Sequence, residues 1–349
     1  MRYLLVGNYG VRNAGDEALR EYFLRRYPEV SWQVLSARPR EGELPRFPAG
    51  IRSLLSLMWL RTVFALSRSN GIVFGGGSLF TDGESLQACI VWIVPVLFAR
   101  LLRKPYFLAF QGLGPFRTSL GEKISRYAFA HASYVSLRDT ASAERSVLWK
   151  KNTEVVQSFD PTISLMKNKN PTFRSKNLFV FIPRFSTEWN PKILRKFVEG
   201  FERLRKEGFE IRILSMQSHH SGERRLTEKL SHLLSTPVRE TVTMDEVLEE
   251  FKDATCIITQ RYHAIVAAAI VSGIPFLALR QFKGDKLDAL AGMCHCPSET
   301  LESFDPATLL DTDWEALHER LVSLLGQYGM LVEQGEVTLR AALKSFAAR

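Results

Sequence analysis

The chain has 349 residues, enough for two domains of ordinary size, and its 46% hydrophobic and 24% charged content is that of a soluble globular protein. The net charge of +9 points to an anionic partner, but the basic residues fall into small clusters at 38–40, 100–104, 150–151 and 224–225. That scatter favours a membrane surface or a phosphorylated substrate and argues against nucleic acid. Cys89, Cys256, Cys294 and Cys296 form no C-x-x-C pair, and the Cys-His-Cys at 294–296 lacks a second ligand pair, so reduced thiols are expected and no metal site.

The chain starts directly in a strand pattern at 3–6 with no signal-peptide pattern, which implies a cytoplasmic protein. The loop 7–15 is rich in Gly and Asn, and Asp16 opens a helix with Ala18, Leu19, Tyr22 and Phe23 on one face. A strand at 32–35 precedes an Arg- and Pro-rich loop at 36–50. A helix over 51–66 leads to the strand 71–74, which runs into Gly75-Gly76-Gly77. A helix at 88–102 and a strand at 106–110 follow, then Gln111-Gly112-Leu113-Gly114-Pro115. A helix near 120–131, a strand at 134–137, a helix at 140–149 after Arg138-Asp139, and a strand at 153–157 ending near Asp160-Pro161 complete the first series. The apolar stretches 51–66 (with Arg52 and Arg61) and 88–99 (with Pro95) both fall short of the roughly 20 residues that a spanning helix needs. Both read as buried helices. The alternative is that one of them, flanked by Arg100, Arg103 and Lys104, makes a peripheral contact with the inner face of the membrane.

Residues 166–176 are polar and aperiodic and read as a linker. A second series begins with the strand 178–182, which ends at Pro183-Arg184, and continues with a helix at 191–206, a strand at 211–214 and a loop at 217–221. Next come a helix at 223–233, a short strand near 238–242 and a helix at 244–252 with Thr243 as N-cap. The strand 254–259 gives way to Gln260-Arg261-Tyr262-His263-Ala264 and a small-apolar helix at 265–271. The strand 275–279 exits through a charged loop at 280–286, and the chain is helical from Trp314, with a final helix at 333–347. Alternating short strands and helices predict parallel α/β architecture. The expected organisation is two Rossmann-like, doubly wound domains at 1–165 and 177–325 facing across a cleft, followed by a helical tail at 326–349.

Ligands in open α/β sheets bind outside the carboxyl ends of the strands. The stretch from Gly7-Asn8-Tyr9-Gly10 to Asn13-Ala14-Gly15-Asp16-Glu17 is not a Walker A loop, because no Gly-Lys-Ser/Thr follows, and its glycines are wrongly spaced for G-x-G-x-x-G. Asp16 and Glu17 either cap the helix or accept a proton or hydrogen bond from a sugar hydroxyl. Gly75-Gly76-Gly77-Ser78 and Gln111-Gly112-Leu113-Gly114 leave the same sheet edge. Each alone is a tight turn; three such exits together suit a floor for a bulky group such as a sugar ring. Arg138, Arg184, Arg261 and Lys283 (or Lys286) also stand at strand exits. Singly each reads as a surface cation in a salt bridge; together they suit a small dianion or trianion, which arginine binds bidentately. His263 is either a core histidine or an ionisable group beside the anion that Arg261 and a helix N-terminus favour. His219-His220 reads as a loop, since adjacent histidines rarely chelate together, and His295 as incidental.

The motifs at 7–18, Phe-Gly-Gly-Gly-Ser-Leu-Phe at 74–80, Gln-Gly-Leu-Gly-Pro at 111–115, Ser-Leu-Arg-Asp at 136–139 and Arg-Tyr-His-Ala at 261–264 resemble, in order, those of the polysaccharide pyruvyl transferase family. The resemblance implies a glycosyltransferase-B-like fold and transfer of a pyruvyl unit from phosphoenolpyruvate to two hydroxyls of a sugar in a cell-wall, capsule or exopolysaccharide precursor, sometimes lipid-linked. It implies no cofactor, only phosphoenolpyruvate as donor substrate. By resemblance Arg261 holds the phosphate or carboxylate of the donor, with Arg184, Lys283 (or Lys286) and Arg138 assisting, and His263 protonates the enol methylene. Asp16 or Glu17 is the candidate base, and Asn8, Gly10, Asn13, Gly76, Gly77 and Gln111 are expected on the acceptor side. Two departures stand out. The loop 218–223 has Glu223 where the family usually has an acid nearer the strand, and Arg280-Gln281-Phe282 replaces a more usual Tyr-Asp-Pro. The rivals are a nucleotide-sugar glycosyltransferase of the same architecture, for which the second domain offers no convincing ribose- and base-binding loop, and a non-catalytic glycan-binding paralogue, against which the Arg261/His263 pair stands.

Overall fold

The computed structural model describes residues 1–48, 50–83, 85–149, 155–166, 177–186, 188–281, 285–324 and 326–348. Two compact units emerge: one of Met1–Val11, Asp16–Leu165 and Tyr328–Arg349, the other of Arg12–Gly15 and Met166–Gln327. The short loop Arg12–Gly15 therefore groups with the second unit. The linker expected at 166–176 lies, apart from Met166, outside the described residues.

In chain order the first unit contains β1 (Arg2–Val6), α1 (Ala14–Arg26), β2 (Ser31–Ser36), β3 (Leu44–Pro45), α2 (Ile51–Leu55), α3 (Leu60–Ser67), β4 (Gly71–Gly77), α4 (Leu86–Leu101), β5 (Tyr106–Gln111), α5 (Ser119–Ala130), β6 (Tyr134–Leu137), α6 (Thr140–Val147) and β7 (Val155–Gln157). Among the described residues its sheet has seven parallel strands in the order β3-β2-β1-β4-β5-β6-β7. The central strands are nearly continuous apolar runs because helices cover both faces. Alternation along each strand separates two cores. Leu4, Val6, Ile72, Phe74 and Leu108 join α3, α4 and α5 on one face. Tyr3, Leu5, Val73, Phe107 and Ala109 join α1 on the other, together with Leu339 and Leu343 near the carboxyl end of the chain.

The second unit contains β8 (Leu178–Ile182), α7 (Pro191–Lys206), β9 (Glu210–Ser215), α8 (Ser221–Leu234), β10 (Val238–Glu240), α9 (Met244–Glu250), β11 (Ala254–Thr259), α10 (Tyr262–Ile265), β12 (Phe276–Arg280), α11 (Lys286–Cys294), β13 (Ser298–Thr300) and α12 (Trp314–Leu324). Its parallel sheet runs β10-β9-β8-β11-β12-β13. The last helix, α13 (Gln327–Ala347), packs in the first unit, where the Tyr3 hydroxyl donates to the Leu343 carbonyl at 2.8 Å. The α/β fold with two parallel sheets matches the sequence expectation.

Several local expectations change. The helix expected over 51–66 is two, α2 and α3, interrupted at Leu57, whose φ is +53°. The loop expected at 36–50 contains the edge strand β3; α11, whose Leu287, Leu290, Ala291 and Cys294 recur at helical spacing, is a further helix, and β13 lies in a segment without an apolar signal. Helix α1 begins at Ala14 rather than Asp16, with Asn13 Oδ1 accepting from the Gly15 N–H at 3.1 Å. The helix expected at 265–271 is π-helical over Val266–Val271, continuing from α10.

In each sheet the chain winds outward in both directions from its first strand, so the strand order reverses between β1 and β4 and again between β8 and β11. Those two gaps, at the carboxyl ends of the strands, are where such folds leave a crevice for a ligand.

Candidate active site

At the switch point of the second sheet, β8 runs into Pro183-Arg184 and β11 into Gln260-Arg261. Gln260 ties the two exits together. Its backbone N–H donates to the Ile182 carbonyl at 3.2 Å, and its Oε1 accepts from the Arg184 N–H at 2.9 Å and from Trp189 Nε1 at 3.3 Å. Arg184 is thus fixed through its backbone, and its side chain is half-buried.

Arg261 is buried. Its N–H donates to Thr259 Oγ1 at 2.9 Å, its Nη1 donates to Gln217 Oε1 at 3.2 Å, and its Nη2 pairs with the Glu223 carboxylate. Glu223 is 1% exposed, and its Oε1 also accepts from Ser215 Oγ at 3.1 Å and the Gln217 N–H at 3.0 Å. The carboxylate is therefore held by the end of β9 and in turn holds the guanidinium, which a planar fork makes directional. His220 caps α8, with its Nδ1 accepting from the Glu223 N–H at 3.3 Å, and so fixes the start of the helix that carries Glu223.

His263 stands in α10, two residues beyond Arg261, and is half-buried. Gly15 packs against its imidazole so closely that a Cβ on Gly15 would lie 2.0 Å from His263 Nδ1. The loop that carries Gly15 is fastened in the same unit by the Ala14 N–H on the Met216 carbonyl (3.4 Å) and by Arg12 Nη1 on His219 Nε2 (2.6 Å). Asn13 belongs to this loop too. Lys283 lies outside the described residues; its competitor Lys286 opens α11, which Asp285 caps.

The first sheet's switch point is organised by acids. Asp16 Oδ2 accepts from Asn8 Nδ2 at 2.9 Å, and Glu17 Oε1 accepts from the Gly10 N–H at 2.8 Å, so the first turn of α1 braces the loop after β1. Arg46 closes the same loop through Gly7, Asn8 and Tyr9, and lies 5.2 Å from the centre of the Trp92 ring. Burial pushes the Tyr9 phenol well up, with the negative charge of Asp16 and Glu17 adding to it; burial pulls the Arg46 guanidinium down while the same two acids oppose the shift. Tyr9 donates to the Gly75 carbonyl at 2.9 Å. Its ring occupies the space that a Cβ on Gly7 or Gly75 would need, and a Cβ on Gly76 would lie 2.7 Å from Leu19 Cδ2. Gly10, Gly76 and Gly77 all have left-handed φ, at +78°, +82° and +86°. Gln111 is fully buried, and its Nε2 donates to the carbonyls of Phe74 (3.1 Å) and Ala109 (3.0 Å). Arg138 is buried, paired with Asp160 at 2.8 Å and donating to Ser78 Oγ at 2.9 Å.

The structure thus gathers Asn8, Gly10, Asp16 and Glu17 in the first unit, with Gly76 and Gly77 on the neighbouring strand. It gathers Asn13, Arg184, Arg261 and His263 in the second. Arg138 stands at the exit of β6 in the first unit, bonded to Asp160 and to Ser78. Arg46, Gln217 and Gln260 receive no role of their own from the sequence, although Gln217 and Gln260 both stand just beyond strand ends. Among the described residues no group of three or more His, Cys, Asp or Glu is placed to hold a metal. All four cysteines are free and buried; burial raises each thiol, that of Cys296 to about 11.

Solved structures share this fold across nearly the whole chain. The Staphylococcus aureus MnaA–UDP structure matches with a TM-score of 0.66 at 14% identity, covering 95% of this chain and 94% of that one. UDP-GlcNAc 2-epimerase from Neisseria meningitidis, bound to UDP-GlcNAc, matches with a TM-score of 0.65 at 13% identity over 99% and 100%. Anabaena HepE with UDP and glucose matches with 0.59 at 12% over 99% and 100%. These likenesses establish a glycosyltransferase-B-like architecture. No curated protein matches the sequence. The profile described as "Polysaccharide pyruvyl transferase" matches residues 12–281, a span that runs from the loop after β1 to the exit of β12. With both switch points inside or bordering that span, the chain belongs to the polysaccharide pyruvyl transferase family.

Proposed function

We propose that the protein transfers the pyruvyl unit of phosphoenolpyruvate to two hydroxyls of one sugar in a cell-wall, capsule or exopolysaccharide precursor in the cytoplasm, forming a cyclic ketal and releasing phosphate. The observation that carries this reading is the pairing, on one strand exit inside the family-matched span, of a buried arginine with a half-buried imidazole two residues on.

Arg261 and Arg184 hold the anionic donor, and Glu223 and Gln217 aim the Arg261 fork. Lys283 or Lys286 adds a further cation. Arg138, whose charge Asp160 meets, serves as a scaffold under Ser78. His263 delivers a proton to C3 of the enol, which becomes the methyl group, and C2 becomes oxocarbenium-like. The first sugar hydroxyl bonds to C2. The C2–O bond to phosphate then breaks, and the second hydroxyl closes the ring. Of the two hydroxyl protons, one restores the imidazolium and the other leaves on phosphate. Asp16 or Glu17 takes the first from the attacking hydroxyl, and Asn8, Gly10, Asn13, Gly76, Gly77 and Gln111 shape the acceptor side.

The test is phosphate release from phosphoenolpyruvate in the presence of candidate sugar acceptors. His263→Ala is expected to lower kcat by about 10²–10⁴-fold, the usual span for a general acid. Full activity in that variant would refute the acid assignment. No release with any acceptor, together with binding of a nucleotide sugar, would assign the chain to glycosyl transfer instead.

A further inference from the structure

The first unit carries an apolar surface that its core does not use. The segment from α2 into the turn before α3 leaves Ile51 77%, Leu55 74%, Leu57 58% and Met58 53% exposed. Trp59, half-buried, stands against Phe98 with ring centroids 5.8 Å apart, which brings this segment beside α4. There Ile90, Leu97 and Leu101, at spacings of seven and four, form one exposed stripe on the helix. A stretch of large apolar side chains this concentrated marks an interaction surface rather than ordinary scatter.

Its charge decides what fits it. From 44 to 121 the sequence has only two acids, Asp82 and Glu84, against eight basic residues. Asp82 is buried. Arg61, Arg68, Arg100 and Arg103 are exposed around the apolar segment and the stripe. Arg68 folds over the Phe64 ring at 4.0 Å, and Lys104 Nζ is anchored on the Ser69 carbonyl at 2.7 Å. Long basic side chains beside exposed leucines can keep their charge at a headgroup while their stems lie along apolar surface. A second copy is a poor occupant, because a twofold contact sets the same patch against itself and opposes like charges.

We infer that this face, the α2–α3 turn with the exposed stripe of α4, docks on an anionic lipid bilayer surface. Its apolar tip lies among the upper acyl chains and its arginines lie at the headgroups. Among the described residues no helix is long and apolar enough to cross a membrane, so the contact is peripheral. The inference is independent of the ketal chemistry proposed above.

The experiment is co-sedimentation of the full chain with vesicles of phosphatidylcholine alone or mixed with phosphatidylglycerol, at low and high salt, with light scattering of the vesicle-free protein alongside. Binding to the anionic vesicles, weak binding to the neutral ones and weakening by salt are expected. Ile51→Ser/Leu55→Ser/Leu57→Ser is expected to weaken binding by about tenfold or more. Arg100→Glu/Arg103→Glu is expected to weaken it by about fivefold or more per charge and to abolish the preference for anionic lipid. All these side chains are exposed, so the unfolding midpoints should stay at the wild-type value. No binding to either vesicle, or equal binding to both, overturns the proposal. So does a dimer that the serine variant dissociates while vesicle binding is unchanged.

Discussion

At the switch point of the first sheet two acids at the start of α1 brace the loop after β1, with Arg46 closing it; at that of the second, arginines stand at the strand exits and are held by Glu223, Gln217 and Gln260. Asp16 and Glu17 reach back to Asn8 and Gly10, whereas Arg261 is locked by Glu223 and Gln217, with Arg184 on the adjoining strand exit. The glycines differ as well. In the first unit Gly7, Gly75 and Gly76 make room for Tyr9 and Leu19, the protein's own side chains, so their absent Cβ atoms serve packing. In the second unit Gly15 makes room for His263, the group proposed to do chemistry. Two motifs that look alike in sequence therefore have different physical purposes. A Cβ added at one of the first set is expected to register as lost stability, and one added at Gly15 as lost catalysis.

The largest expected effect lies in the buried ion pair between Arg261 and Glu223. Arg261→Met keeps side-chain volume but leaves Glu223, 1% exposed, without its countercharge. Breaking a buried pair from one side costs about 3–5 kcal/mol, and a second change, Glu223→Gln, should restore most of it. Asp16→Asn, at a half-buried acid with an amide partner, should cost about 1 kcal/mol or less. Urea unfolding checks both. If Arg261→Met unfolds at the wild-type midpoint, the two sites do not differ in the way described.

The glycines come next. Gly15→Ala forces the His263 ring aside and is expected to lower kcat by about 10²-fold, since a displacement near 1 Å is enough. Its unfolding midpoint should move little. Gly76→Ala meets Leu19 at 2.7 Å with φ at +82°, and is expected to cost about 1–3 kcal/mol in stability. Gly292→Ala, with nothing within 4 Å, is the silent control. Equal losses of activity and stability in Gly15→Ala and Gly76→Ala would erase the distinction.

The sequence makes the alternation of strands and helices legible because buried parallel strands are written in runs such as those of β4, β5 and β11. It hides β13, whose Ser-Glu-Thr is half-buried at a sheet edge and carries no apolar pattern. It also hides the break between α2 and α3, where a leucine rather than a glycine takes the left-handed conformation. At the candidate site, strand-exit position is legible for Arg138, Arg184 and Arg261 alike. What each touches is not, because Asp160 comes to Arg138 from 22 residues away and Gln217 comes to Arg261 from 44. The partner that fixes a cation arrives through topology, which local spacing does not encode.

A smaller effect than that of Arg261→Met concerns how the two units hold a buried acid. Glu223 faces a guanidinium, whereas Asp82 in the first unit is held by hydroxyl and backbone donors. It accepts from the N–H groups of Arg117 and Thr118, both at 2.7 Å, and from Thr118 Oγ1, beside the start of α5 where Thr118 is the N-cap. Burial pushes the Asp82 carboxyl up, but these hydrogen bonds outweigh it and leave the group below its usual range. An acid that titrates lower when folded stabilises fully above its unfolded value, about pH 4, and that contribution is lost as the pH falls through the folded value. Asp82→Asn turns one acceptor into a donor facing donors and is expected to cost about 1–2 kcal/mol at neutral pH. Below about pH 4 the gap between wild type and variant should begin to narrow, and it should close only as the pH falls through the lower folded value, where the wild-type carboxyl is itself protonated. Urea unfolding of both proteins between neutral and acid pH tests this. A gap that stays constant would mean that Asp82 stabilises the start of α5 through its shape and not through its charge.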